Sequence, residues 1–178
     1  MSSNIRAYTT YEASAVIAAL ASGAVGAQLK PQPALAQPGI TSIKIGLVRL
    51  EIALTTAVAS LLALVRPGSL GTSTTNTTGS RVGTVGGGYA VGSGSILASA
   101  WSAAPAVSTV FKREQLPATI GARLVWEWPE DNPFNNGDDM TRDIFQRNGI
   151  LLQNIGAGVS GAMVVNYRWI EYSGVATG

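Results

Sequence analysis

The chain has 178 residues, 46% of them hydrophobic and only 12% charged, with a net charge of +2, whereas an average domain carries about 25% charged residues. It contains no Cys and no His, which excludes disulfides, thiolate metal sites and thiol nucleophiles and removes the commonest general base and zinc ligand. The length suffices for one domain with a sizeable core, and the shortage of charge points to surface covered by a partner or to an exterior rich in Ser, Thr and Gly.

In chain order, residues 1–38 read as an N-terminal arm or docking segment. A short helix is predicted across residues 11–21, broken at Gly23 and Gly26, after which Pro31, Pro33 and Pro38 hold the chain extended. The alternative is that this helix packs on the domain's own sheet. The apolar side chains Tyr8, Tyr11, Val16, Ile17, Leu20, Leu29 and Leu35 form the candidate partner-binding set. Deletion of residues 1–38 is expected to abolish docking and leave the rest folded. The apolar run from Ala15 imitates a secretory signal, but Glu12 and two tyrosines occupy the region that should be basic. The run is also shorter than the roughly 20 residues of a membrane span, so no membrane partner is expected.

From residue 39 the pattern changes to period two. In TSIKIGLVRLEIALTT, Ile43, Ile45 and Leu47 share one face, then Leu50, Ile52 and Leu54 alternate with Arg49 and Glu51. The phase slips at Leu47–Val48, where one inserted residue would make a bulge. AVASLLALVRP follows, apolar on both faces as in a strand buried between layers. Residues 68–95 are a Gly/Ser/Thr/Asn tract that reads as a long loop, with brief edge pairing near residues 81–85. A short strand spans residues 106–111, while Trp101 lies in a stretch with neither strand nor helix pattern. Further on, Ile120, Ala122, Leu124, Trp126 and Trp128 face one way, and Arg123, Val125 and Glu127 the other. A polar loop leads to a strand, a small-residue turn and a last strand over residues 149–172. There Met163, Val165, Tyr167 and Trp169 share one face, and Asn166, Arg168 and Ile170 the other. This succession predicts an all-β, jelly-roll-like β-sandwich over residues 39–178, with a barrel as the alternative.

The basic residues are scattered and not interleaved with aromatics, so the footprint of nucleic-acid binding is missing. Asp131, Asp138 and Asp139 lie in an acidic loop whose oxygens could hold Ca²⁺. The spacing does not match the EF-hand, and a solvated turn of Asn, Asp and Gly is the plainer reading; no metal or cofactor is expected. Glu127 and Glu130 beside two tryptophans suggest a glycosidase pair, but Glu127 falls on the face opposite the indoles. A Ser–Lys dyad using Lys30, Lys44 or Lys112 has no local motif behind it. No enzymatic activity is expected.

The stretches GLVRLEIALTTAVASLLALVRPGSLGT, GARLVWEWP and GILLQNIGAGVSGAMVVNYRWIEY carry a resemblance of style. From residue 39 onward the chain resembles small β-sandwich virion proteins of tailed bacteriophages, of the capsid cement or decoration type. The resemblance implies a non-enzymatic protein that stabilises the shell by bridging capsomers, with the major capsid protein as partner. It also implies a homo-oligomer, a trimer or dimer, made in the host cytoplasm and placed on the capsid surface of the virion. The alternatives are a carbohydrate- or receptor-binding module of a tail or fibre, and a neck or tail structural protein.

Overall fold

A computed structural model describes residues 8–31, 43–85, 95–134, 141–142 and 148–173. Twelve strands run in chain order: β1 Tyr8–Ile17, β2 Val25–Pro31, β3 Ile43–Leu54, β4 Ser60–Pro67, β5 Thr72–Thr78, β6 Ser80–Val85, β7 Ser95–Ala103, β8 Val107–Leu116, β9 Arg123–Glu127, β10 Thr141–Arg142, β11 Ile150–Asn154 and β12 Met163–Ser173. The first sheet has the order β10-β3-β12-β1-β6, with β9 also on β3, and the second the order β5-β7-β2-β11-β4-β8. Every pairing is antiparallel. The protein is an all-β sandwich, as the alternation of its strands requires.

No two strands consecutive in sequence pair with each other among those described. The chain instead changes sheet between β1 and β2, β2 and β3, β3 and β4, β5 and β6, β6 and β7, β8 and β9, β10 and β11, and β11 and β12, so the wrapping of the chain, and no described hairpin, closes the sandwich. The last two patterned strands therefore lie in different sheets.

Alternation decides which side chains meet between the layers. From the first sheet come Tyr11, Ile17, Leu50, Ile52, Trp126, Val165, Tyr167 and Trp169; from the second come Leu29, Leu62, Leu64, Leu97, Ile150 and Leu152. Tyr11 and Trp169 stack with ring centroids 6.0 Å apart. The expected bulge falls where the β12–β3 register shifts between Arg168 and Trp169, with Leu47 opposite Trp169 and Arg49 opposite Arg168. The strand read as buried on both faces is β4. Its Leu62 and Leu64 join the main core, while Ala63 and Val65 pack with Leu151 on the far side of the second sheet.

Two expectations are corrected. Residues 11–21 are not a short helix, and the described part of residues 1–38 is not an arm. β1 lies inside the first sheet between β12 and β6, and β2 lies inside the second between β7 and β11. Alanine misled the helix reading: Tyr11, Ala13, Ala15 and Ile17 point inward while Ser14 and Val16 point outward, which is strand periodicity written in small residues. The tract at residues 68–95 also holds more structure than a loop. It contains β5 and β6, one at the edge of each sheet, where threonine's branched side chain favours the extended chain without any apolar alternation.

Candidate functional site

The outer face of the first sheet carries a row of charge fixed by strand register. Glu127 lies opposite Arg49, Arg49 opposite Arg168, and Arg168 opposite Glu12, giving an acid–base–base–acid line across β9, β3, β12 and β1. Like charges directly opposite one another repel, so each arginine is held by carboxylates. Arg49 contacts Glu51 at 2.9 Å and Glu127 at 3.3 Å, Arg123 contacts Glu51 at 3.0 Å, and Arg168 contacts Glu12 at 3.1 Å.

The segment after β9 folds over this face. Trp128 N–H donates to the Val48 carbonyl at 2.8 Å, and Phe134 and Leu47 exchange backbone hydrogen bonds of 2.9 and 2.8 Å. Pro133 then lies against Gly46, where a Cβ would come within 2.4 Å of its Cγ. The Tyr8 hydroxyl donates to Glu130 at 2.7 Å and closes the clasp; this hydrogen bond is the main cause that raises the phenol's pKa. Beneath it, Tyr8 packs on Val48 and Ile170. Between clasp and charge row lies an open groove of about 350 Å³ lined by Val48, Arg49, Glu127, Trp128, Pro129 and Arg168.

The glycosidase geometry is not formed. Glu127 is taken up by Arg49 and Glu130 by Tyr8, while Trp126 is buried and donates its Nε1 proton to Glu114 at 3.1 Å. Trp128 packs at a 45° tilt on Phe134, ring centres 5.3 Å apart, and receives the Lys112 ammonium 5.5 Å from its ring centre. Of the calcium candidates, Asp131 is exposed, and Asp138 and Asp139 lie outside the described residues. No group of three acidic side chains able to hold a metal occurs among the described residues.

The partner-binding set divides sharply. Tyr11, Ile17 and Leu29 are core residues and have no surface to offer a partner; this corrects their assignment. Leu20 is half-buried against the same core, Tyr8 serves the clasp, and Leu35 lies outside the described residues. Among the six described, Val16 alone is fully presented to solvent, at 79% exposure.

One feature of the second sheet escaped the sequence reading. Lys30 is 7% exposed, and its ammonium donates to Ser73 Oγ at 3.0 Å. Burial pushes its pKa down. A Ser–Lys contact alone is not an acyl-transfer site, which also needs donors aimed at a developing oxyanion. Trp101 pairs with Ser73 in register, but its Nε1 is enclosed and has no hydrogen-bond partner. A single lysine between Leu29 and Pro31 gives no sequence signal of burial, because the cover comes from strands distant in sequence. No protein-family model matches the chain, and neither does any curated protein.

Proposed function

We propose that the protein is a non-enzymatic virion structural protein of the capsid cement or decoration type, which stabilises a shell by bridging capsomers. The observation behind this reading is how the glutamates are used. Glu12, Glu51 and Glu127 hold arginines, Glu130 accepts from Tyr8, and Glu114 and Glu171 accept from Trp126 and Trp169. Five of the six thereby tie separate strands or loops together, Glu51 through Arg123, while Glu171 braces Trp169 within β12; none is paired in register with a second carboxylate for acid–base work. Such cross-linking suits a part whose task is rigidity. The reading is tested by adding purified protein to particles from which it has been stripped, in the virus whose genome carries the sequence. Saturable co-sedimentation at a fixed ratio to the major capsid protein is expected. Its absence from the native particle by mass spectrometry would overturn the reading.

A second reading, a carbohydrate- or receptor-binding module of a tail or fibre, is favoured by the groove. Paired charges held rigid across strands offer donors and acceptors suited to hydroxyl-rich ligands. Tryptophan fluorescence titrated with glycans separates the two, since a shell-bridging protein gives no saturable quenching.

A further inference from the structure

One end of the sandwich differs from every other described surface. The connections between β1 and β2, β3 and β4, β8 and β9, and β11 and β12 all meet there, because Ile17, Leu54 and Met163 lie side by side in one sheet and Leu116, Ser60 and Leu62 beside Asn154 in the other. Hydrogen bonds tie them together. Leu54 N–H donates to Ala122 O, Thr55 N–H to Ala162 O, and Ser160 N–H to Leu20 O. The Asn154 amide donates to the carbonyls of Leu20, Ala21 and Gly158. These four connections contain no Asp, Glu, Lys or Arg. Val58, Ile120 and Val159 project from them at 41%, 68% and 58% exposure, and Val16 stands beside them at the end of β1.

The outer face of the second sheet is apolar too, but its Ala63, Val65 and Leu151 are already buried, with Val25, Trp101, Val107 and Ile155 packed against them; the other described surfaces are less suited to an apolar contact. The face of the first sheet carries the charge row. The edges carry the devices that stop strand addition: three register shifts in β5, Lys112, Arg113 and Glu114 in β8, a mere five residues in β9, and Arg81 with a register shift beside β6.

We propose that this uncharged end is a self-association surface, and that its occupant is the same end of a second copy in a two-fold, end-to-end dimer. The absence of charge from these connections favours a second copy as the occupant. A charged partner would bury its charges against four connections offering no counter-charge, which is costly, whereas two copies meet through uncharged connections, with Arg123 at the margin already paired to Glu51. The area sets the strength. Strands about 4.8 Å apart in sheets about 10 Å apart make the end roughly 20 Å square, so pairing buries on the order of 1,000 Å² with the relief of the loops. That is the low end of specific interfaces, so the association is expected to be weak and concentration-dependent. The shell reading implies a homo-oligomer as well, and the dimer proposed here names its surface; because its test needs no capsid, a monomeric result leaves the shell reading to the co-sedimentation experiment.

Sedimentation equilibrium of the full chain from about 1 µM to 1 mM tests it, with I120D/V159D and I120K/V159K as variants. Both sites are exposed, so near-ultraviolet circular dichroism of each variant should match the parent. The parent should dimerise, each variant alone should raise Kd at least tenfold, and an equimolar mixture of the two should regain the dimer. A parent monomeric throughout, a dimer indifferent to the variants, or a monomer that binds neutral lipid vesicles through this end would each overturn the proposal.

Discussion

Trp169 shows how much one residue arranges. Its indole stacks on Tyr11 and donates to the buried Glu171 at 2.9 Å. Gly79, between β5 and β6, lets the chain cross from one sheet to the other over that ring, since a Cβ there would come within 2.5 Å of the indole. Gly79→Ala should therefore cost about 1–3 kcal/mol by overpacking, read as a lower denaturant midpoint at unchanged slope. The buried tyrosines set the alkaline limit. Burial pushes Tyr11 up to about 12 and Tyr167 higher still. A group whose pKa is raised by folding contributes stability that is complete below its unfolded value, near 10, and is lost as pH rises through the folded value. Chemical denaturation between pH 9 and 12 should thus show a fall beginning near pH 10, and Tyr167→Phe should shallow it. Lys30 acts with the opposite sign: its pKa is lowered, so the penalty for its buried charge is full at neutral pH and relieved as pH rises through the folded value towards 10.5. Lys30→Met should raise stability at pH 7 by about 1 kcal/mol or more, and a loss there would show that the Ser73 contact outweighs desolvation.

At the scale of elements, β1 and β2 matter most, because each is an interior strand of a different sheet. Removing the chain through residue 31 opens both sheets at once and should abolish cooperative unfolding; a truncated protein that still melts sharply would contradict the topology. Leu29→Ala, at a fully buried position, should cost about 2–5 kcal/mol. These strands were also the least legible in the sequence. β3, β9 and β12 announce themselves by alternating large apolar and charged side chains, as at Leu124, Val125, Trp126 and Glu127, and their faces follow directly. β1 alternates just as strictly, but with Ala13 and Ala15 on the inner face, and alanine carries little hydrophobic contrast and a strong helix preference. β5 has no apolar face to read, since it is a threonine-rich edge. Within the site, Glu127 and Arg168 could be placed on outward faces from sequence. Their alignment in one row with Arg49 and Glu12 could not, because register between strands far apart in sequence is set by packing.

For the whole molecule, a sandwich without a single described hairpin should fold slowly. Each pairing closes a long loop before any contact compensates for it, and stopped-flow refolding is expected on the millisecond-to-second scale; microsecond folding would argue for a more local topology. The same wrapping fastens every strand to distant ones, which suits a part that holds other parts together. The low charge of the chain is explained only in part by its core, and the uncharged end and the polar edges account for the rest. The most direct test of the proposed role is the temperature at which purified virions release their nucleic acid, compared between particles with the protein, particles lacking it, and depleted particles to which it has been returned. A shell-bridging role predicts earlier release without the protein and full recovery on its return. Identical release temperatures in all three would contradict the account.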